Sequence, residues 1–353
     1  MISNAAINSP VIKCVVWDID NTLLDGTYLE DRQPRPDPEL LAVLRELAGR
    51  GILHALASRN PAAAADYVRE VTGLDFAAVE CGWGSKAESV SRIAAELGLA
   101  LDAIAFVDDD MAERAEVAAA LPAVLVLTPE DAAEAADWPQ FNPALITAEA
   151  RRRGALYAER RRRHADAAAF GGSRDEFLRR AGTRLTIGLA RPQDLPRLHE
   201  LSVRTHQLNS AGEPVTEAEL AAVLGSAGHL VATVTLTDNY GDDGLVGAAI
   251  MTRNGAGPWS VPLVVMSCRA LGRGALDALL AWLCRSAAAA GASELLIPCL
   301  VTERNVPMRL ALAAAGLRAE PGSVAPDGRA VFARSLAGRL PDLPDWATEQ
   351  ARP

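Results

Sequence analysis

Two aspartates one residue apart, Asp18 and Asp20, close an apolar run that reads Val15-Val16-Trp17-Asp18-Ile19-Asp20-Asn21-Thr22. Side chains two apart on a strand point to the same face, and a loop that starts there turns both toward one ligand. Such a pair suits phosphate chemistry. One carboxylate attacks phosphorus; the other protonates the leaving group and later activates water. Asp18 is placed in the first role and Asp20 in the second. The two tolerate each other and a phosphate only beside a hard cation, most simply Mg2+. The competing reading is a strand end followed by an Asn/Asp/Thr turn or helix cap.

Three later segments bear on that choice. Ala57-Ser58-Arg59-Asn60 offers a strand-end hydroxyl able to hold a phosphoryl oxygen. Gly84-Ser85-Lys86 offers an ammonium that can hold the nucleophile or neutralise an aspartyl-phosphate. Asp108, Asp109 and Asp110 follow Ile104–Val107, with Glu113 one helical turn beyond Asp109. Singly, Ser58 reads as a helix N-cap, Lys86 as a solvated cation and the aspartates as a cap on the helix holding Glu113.

The elements that must position these residues alternate through the first 150 positions: short apolar runs and amphipathic helices, the pattern of a parallel sheet wrapped by helices. Strands are predicted at 12–17, 52–57, 104–107 and 124–127, and helices at 38–50, 62–71, 88–97 and 113–120. Chemistry in such sheets gathers outside the carboxyl ends of the strands, where all of these candidates fall. His54 lies inside a buried strand and receives no role. A charged helical connector is expected at 148–182. After it, strands in the 230s, 240s and 260s follow one another with polar turns, which predicts an antiparallel meander beside helices. The domains are therefore read as 1–147, the connector, a second mixed α/β unit at 183–340, and a loose Pro-rich tail at 341–353.

Composition narrows the function classes. The 353 residues carry a net charge of −10, with no basic patch adequate to grip nucleic acid. The runs at Arg151–Arg153 and Arg160–Arg163 read as a solvated helix face, with docking of an acidic protein as the alternative. The five cysteines (Cys14, Cys81, Cys268, Cys284, Cys299) are widely spaced and suggest neither a zinc site nor a disulfide framework. With no signal peptide and no apolar run of membrane-spanning length, a cytoplasmic protein is expected.

In the second half, Trp259–Met266 leads into Ser267-Cys268-Arg269-Ala270-Leu271-Gly272-Arg273-Gly274 and an amphipathic helix. Glycines between a strand and a helix let backbone N–H groups approach a pyrophosphate at the helix N-terminus. Cys268 stands just before this turn. A cysteine is usually a small buried hydrophobe. Arg269, Arg273 and a helix N-terminus would instead favour a thiolate here. Cys14, near the first site, is the main rival for an acyl-carrying thiol. His206, in Arg204-Thr205-His206-Gln207-Leu208-Asn209, is a candidate base or substrate contact, with a bystander role as the competing reading.

The order Asp-x-Asp-x-Thr, Ser, Lys and a carboxylate pair resembles the haloacid-dehalogenase superfamily. That resemblance implies Asp18 as nucleophile, Asp20 as acid/base, and Ser58 and Lys86 as phosphate holders. Asp109, Asp18 and the Asp20 carbonyl would hold Mg2+, assisted by Asp108 or Glu113. The stretch 22–38 is too short for a large cap domain. The second half, with Asn305-Val306-Pro307-Met308 and Ala315-Gly316-Leu317 downstream, resembles the GNAT acetyltransferases. There the glycine turn binds the pyrophosphate of coenzyme A or the phosphopantetheine arm of a carrier protein. The expected fold is therefore α/β: a Rossmann-like haloacid-dehalogenase domain with a minimal cap, then a GNAT-like mixed α/β domain.

Together the halves resemble the FkbH-like family of polyketide biosynthesis. The match rests on Val16–Leu23, Ala57–Asn60, Phe106–Asp109, Glu113–Val117, Arg204–Asn209 and Met266–Arg269, and covers about residues 12 to 320. It implies transfer of a glyceryl unit from 1,3-bisphosphoglycerate to an acyl carrier protein. A cysteine, here Cys268, attacks the acyl phosphate, the other phosphate is lost at the aspartate site, and the acyl group passes to the carrier's pantetheine thiol. Ser58, Arg59, Asn60, Asn209, Arg269, Gly272 and Gly274 are taken as substrate contacts. The arginines at 151–163, or Arg269 and Arg273, could steer an acidic carrier. Two departures are Leu24-Asp25-Gly26 in place of a Trp-Gly-Gly-like turn, and His206 in place of Asn. The alternatives are a Mg-dependent phosphatase of small metabolites with an architectural second domain, and a non-catalytic scaffold.

Overall fold

A computed structural model describes residues 11–31, 33–143, 146–147, 151–205, 207–319 and 324–349. The chain forms two compact units, 1–166 and 167–353.

Unit 1 is built on β1 (Cys14–Trp17), whose four residues are all buried. A small hairpin follows, β2 (Leu24–Asp25) with β3 (Arg35–Pro36). Next come α1 (Pro38–Gly49), β4 (Leu53–Ser58), α2 (Ala63–Thr72), β5 (Ala78–Cys81) and α3 (Lys86–Leu97). The unit continues with β6 (Ile104–Val107), α4 (Met111–Ala120), β7 (Leu125–Leu127), α5 (Pro129–Glu134) and α6 (Arg153–Ala169), which runs past the boundary. The five main strands form one parallel sheet in the order β5-β4-β1-β6-β7. Central parallel strands are covered on both faces, which is why β1 is an uninterrupted apolar run. Val15 and Trp17 enter one core with α1 and α2, whereas Cys14 and Val16 enter another with α3.

Local chemistry starts and stops the helices. The Asp37 carboxylate caps α1 by accepting from the N–H groups of Glu39 and Leu40, and Pro38 occupies its first turn. Ser85 caps α3, which ends at Gly98 in the left-handed conformation (φ 66°). Since the strands are parallel, the segments that follow β1, β4, β5 and β6 all leave from one edge of the sheet.

β5 escapes the sequence reading because Val79, Glu80 and Cys81 are only half-buried and lack a strand's alternation. The arginine-rich segment also differs from expectation. Arg153 donates to Gly51 O at 2.6 Å, Arg161 to Phe76 O at 2.7 Å, and Arg163 is buried. Arg153 and Arg161 are thus tied to unit 1, whereas Arg151, Arg152 and Arg162 are exposed, as a solvated face expects.

Unit 2 begins with α7 (Arg174–Arg180), β8 (Arg184–Leu189), α8 (Leu195–Arg204) and α9 (Glu217–Leu224). The strands β9 (His229–Asp238), β10 (Gly241–Thr252) and β11 (Trp259–Met266) follow, then α10 (Ala275–Ala289), β12 (Glu294–Leu300) and α11 (Val306–Ala314). The last strands are β13 (Arg318–Ala319), β14 (Arg329–Ser335) and β15 (Ala347–Glu349). The sheet order is β13-β14-β12-β11-β10-β9-β8-β15. β9 to β11 form the expected antiparallel meander, and β8 adds to it antiparallel beside β9. β11 and β12 run parallel but pair only at Trp259↔Leu295 and Ser260↔Leu296. The tail expected to be loose is held in part: Ala347–Glu349 pairs with Leu185–Ile187, and Arg179 lies over Trp346 and binds Asp345 at 2.8 Å.

His54 has a structural role in the core of unit 1. Trp17 Nε1 donates to its Nδ1 at 3.0 Å, and its Nε2 meets Leu44 O at 3.0 Å, so the buried ring is the neutral tautomer with hydrogen on Nε2. Burial pushes its pKa down from 6.5 to about 4. The unfolded chain thus binds the proton more readily, and stability is fully present above pH 6.5 and lost as pH falls toward 4. The loss approaches about 3 kcal/mol. Urea midpoints measured between pH 7 and 4.5 are expected to fall for the native chain, with a flatter profile in His54→Gln.

Candidate active site

Asp18 is the residue after β1 and is buried at the edge where the strand segments leave. Its Oδ1 accepts from the ammonium of Lys86, at the start of α3. The same ammonium donates to Asp108 Oδ2 at 2.9 Å and to Ala57 O at 2.8 Å. Lys86 is 3% exposed, so all three of its donors are used inside the protein. Burial pushes the Asp18 carboxyl up to about 6 against the opposing pull of Lys86, while Asp18 and Asp108 hold the Lys86 ammonium above its usual range.

Asp20 is held from two sides. Its Oδ1 accepts from the Tyr28 N–H and its Oδ2 from Asn60 Nδ2, both at 2.8 Å. Asn60 Nδ2 also donates to Ser58 Oγ at 3.0 Å, which ties the end of β4 to the acid/base candidate. The tight turn after β1 uses Asn21 in the left-handed region (φ 50°), with its N–H bonded to Gly26 O at 3.0 Å. This turn brings Tyr28 back over Asp20. Between Thr22 and Pro38 the only regular structure among the described residues is the β2–β3 hairpin, which leaves no room for a large cap.

The carboxylates that follow β6 divide their work. Asp108 is buried, and besides Lys86 it accepts from the Asp110 N–H at 2.9 Å. Asp109 is exposed, and Thr22 both donates to its carboxylate at 3.3 Å and accepts from its N–H at 3.1 Å. One oxygen from each of Asp18, Asp108 and Asp109 lies within 4.8 Å of the others. Three carboxylates against one ammonium leave two formal negative charges, a balance that a divalent cation supplies. Oxygen donors of this kind fit Mg2+. Arg59 faces the rim, paired with Glu113 at 2.9 Å and Glu116 at 3.8 Å. Glu113 is thereby committed to Arg59 through one oxygen, while Ser85 donates to Glu116.

Asp18, Asp20, Ser58, Asn60, Lys86, Asp108 and Asp109 are thus brought together. The sequence reading gave no role to Thr22 or to the Tyr28 N–H. Thr22 stood in the motif as a signal, but the Tyr28 contact depends on the turn geometry alone.

The second constellation differs more from expectation. Cys268 is half-buried in a short 3-10 turn after β11. Arg269 and Arg273 are both buried, contrary to a docking role. Arg273 pairs with Asp238 at 2.6 Å and with Asp243, and Arg269 donates to Asp243 O at 3.4 Å. Gly272 and Gly274 have φ of 76° and 73°, so the turn needs glycine at both. Asn209 uses its whole amide on its own loop. It donates to Ser202 O and Thr205 O at 3.2 Å each, and accepts from the N–H groups of Ala211 and Gly212 at 3.0 and 3.2 Å. Its amide is thus fully occupied within unit 2. His206 lies outside the described residues. Cys14 is fully buried and burial pushes its thiol far above the usual range, which disqualifies it as an accessible acyl carrier.

No family model matches the chain, and no curated protein matches it. Among solved structures, the N-terminal part of protein BF1531 from Bacteroides fragilis, containing a phosphatase domain complexed with Mg, is 26% identical. That match covers 39% of this chain and 40% of the other, with a TM-score of 0.34. A putative GNAT-family acetyltransferase from Desulfovibrio desulfuricans is 18% identical over 44% of this chain and 99% of its own, with a TM-score of 0.35. The aminoglycoside acetyltransferase AAC(6')-Ib in complex with coenzyme A is 17% identical over 43% and 94%, also at 0.35. The chain spans well under half the length of the first of these. In fold, unit 1 is a parallel α/β domain with only the β2–β3 hairpin, among the described residues, between Thr22 and Pro38, and unit 2 is a mixed α/β domain.

Asn60 gives a direct test of this geometry. Asn60→Ala frees one oxygen of Asp20 and, if Asp20 serves as the proton carrier of phosphate-ester hydrolysis, is expected to lower kcat about 10- to 100-fold with KM nearly unchanged. Steady-state kinetics on a generic phosphomonoester, with partial rescue by Asn60→Gln, checks it.

Proposed function

We propose that unit 1 is a Mg2+-dependent phosphohydrolase that works through a covalent aspartyl-phosphate. The observation that carries this reading is the buried Lys86 ammonium gripping Asp18 beside Asp108 while Asp20 is separately fixed by Asn60 and Tyr28. Lys86 aims the Asp18 carboxylate and offsets the charge of an arriving phosphate. An Asp18 oxygen forms the bond to phosphorus as the bond to the leaving oxygen breaks, and that oxygen takes the proton of Asp20. Asp20, now a carboxylate, removes a proton from water as the water oxygen displaces Asp18 from phosphorus, which regenerates both residues. Asp18, Asp108 and Asp109, with the Asp20 carbonyl, would hold the Mg2+, whose chemistry is to neutralise charge on the transferring phosphoryl group. Ser58, beside Asn60, would hold a phosphoryl oxygen. Arg59 at the rim would meet an anionic part of the substrate.

We further propose, on the resemblance to the FkbH-like family, that the substrate is a phosphorylated three-carbon acid, 1,3-bisphosphoglycerate, and the acceptor an acyl carrier protein. In that reaction the Cys268 thiolate attacks the acyl phosphate carbonyl and expels phosphate, leaving a thioester. The carrier's pantetheine thiolate then attacks that thioester and releases Cys268, while the remaining phosphate ester is hydrolysed at Asp18. The half-exposed position of Cys268 at a strand end supports this reading. The burial of Arg269 and Arg273 among the acidic residues of their own unit favours the second reading, a small-metabolite phosphatase with an architectural unit 2.

Intact-protein mass spectrometry separates the two, using enzyme, Mg2+ and freshly generated 1,3-bisphosphoglycerate. The acyl-transfer reading expects a glyceryl adduct that maps to Cys268 and is absent from Cys268→Ala. Phosphate release without any adduct, and without capture by added carrier protein, supports the phosphatase reading. In either case Asp18→Asn is expected to lower hydrolysis of the phosphate ester about a thousandfold or more. Undiminished hydrolysis in that variant overturns the proposed nucleophile.

A further inference from the structure

Parallel strands that diverge leave unmatched N–H and C=O groups on their facing edges, and those groups need partners. β11 and β12 diverge after two paired positions, and the opening lies directly before the Cys268 turn. An extended ligand with amide groups would normally add here as an extra strand. The gap is filled instead by residues of the same unit, Leu208–Ser210.

Hydrogen bonds seat this segment on both flanks. Asn209 bridges Val265 in antiparallel fashion. The Met266 N–H donates to Leu208 O at 2.9 Å, and the Ser210 N–H donates to Val264 O at 2.9 Å. The Val264 N–H donates to Ser210 Oγ at 2.8 Å, so a side chain stands in for a backbone acceptor. On the other flank the Leu300 N–H donates to Ser210 O at 2.9 Å. Leu208, Asn209 and Ser210 are 1%, 2% and 0% exposed. Asn209 braces the loop from within by its four amide hydrogen bonds, and Arg329 donates to Ala211 O at 3.0 Å just beyond it. A cavity of about 400 Å³ remains beside the segment, bordered by Asn209, Gly212, Leu300 and Asn305.

We infer that Leu208–Ser210 is a resident strand that excludes an amide-bearing arm from the β11–β12 gap, so that unit 2 does not bind free coenzyme A there as its GNAT-like fold would suggest. The arm's amides and the resident segment compete for the same N–H groups of Val264, Met266 and Leu300. An incoming arm gains nothing unless the segment leaves, and leaving exposes three buried residues together with the Asn209 network. The inference is independent of the chemistry proposed for Asp18, and it requires that a pantetheine arm reaching Cys268 approach from outside this gap.

Coenzyme A itself is the probe, added to the full chain and followed by calorimetry and by amide hydrogen exchange. Up to about 1 mM coenzyme A, no saturable binding is expected. The amides of 264, 266 and 300 are expected to exchange as slowly in the free protein as those in the middle of β10. Ser210→Gly, which removes the acceptor for the Val264 N–H, is expected to speed exchange at 264 about tenfold or more. Rapid exchange at 264, 266 and 300 in the unliganded native chain overturns the seating. Micromolar binding of coenzyme A that newly protects these amides overturns the exclusion. Both outcomes are read on the native chain, so the conclusion stands even if the variant fails to fold.

Discussion

One buried ammonium organises unit 1. Lys86 reaches from the first turn of α3 to the carboxylate after β1, the carboxylate after β6 and the last carbonyl but one of β4. Three neighbouring strand ends are thus joined at a single nitrogen. The cost of burying that charge is high, and it is offset only when every donor finds an acceptor at short range. A lysine in this position therefore fixes the relative height of three strand ends, and any other arrangement of the loops leaves a buried charge uncompensated. The parallel sheet supplies the common edge, and Lys86 sets the positions along it.

The charge balance around that nitrogen bears on the reactivity proposed for the site as well as on its order. Asp18 and Asp108 already outweigh Lys86, and Asp109 adds to the excess. Desolvation pushes the Asp18 and Asp109 carboxyls above their usual ranges. Thr22 keeps Asp109 in that cluster although its carboxylate is exposed. Asp20 is treated differently. It stands apart from the Lys86 cluster and is held by neutral donors, a backbone N–H and an amide. Two aspartates one residue apart in the chain thus sit in different electrical surroundings, which is what separate duties as nucleophile and proton carrier demand.

Much of this was legible from residue order. An apolar run ending in Asp-x-Asp-x-Thr, followed by a serine, a lysine and an aspartate pair at successive loops, needs only the rule that parallel strands share a carboxyl edge to become a site. What could not be read were contacts set by register. Asn60 reaches Asp20 because β1 and β4 pair Trp17 with Leu56, and no spacing in the sequence encodes that alignment. The partners of Arg273 were hidden for the same reason: Asp238 and Asp243 flank the β9–β10 turn and meet the arginine only across the folded unit. Glycine turn, strand and helix were placed correctly in unit 2, whereas the charges around them were assigned to solvent and partners when the fold had already matched them internally.

That difference bears on how the two units are to be weighed. A buried ion cluster that is internally matched stabilises or specifies a fold, and one left in imbalance calls for something from outside. In unit 2, Arg273 pairs with both Asp238 and Asp243, Arg269 donates to the Asp243 carbonyl, and Glu200 meets Arg197 at 2.8 Å, so Arg273 and Arg197 are answered by carboxylates within the unit. In unit 1 the carboxylates exceed the cation at the edge from which the segments after β1, β4, β5 and β6 leave. Electrostatics therefore places the unmet demand for a cation in unit 1, while in unit 2 the proposed chemistry would rest on the nucleophilicity of a thiol rather than on a field prepared around it. The same reasoning explains why a resident backbone segment suffices to fill the open strands of unit 2: the groups there are neutral amides and carbonyls, and a neutral partner satisfies them.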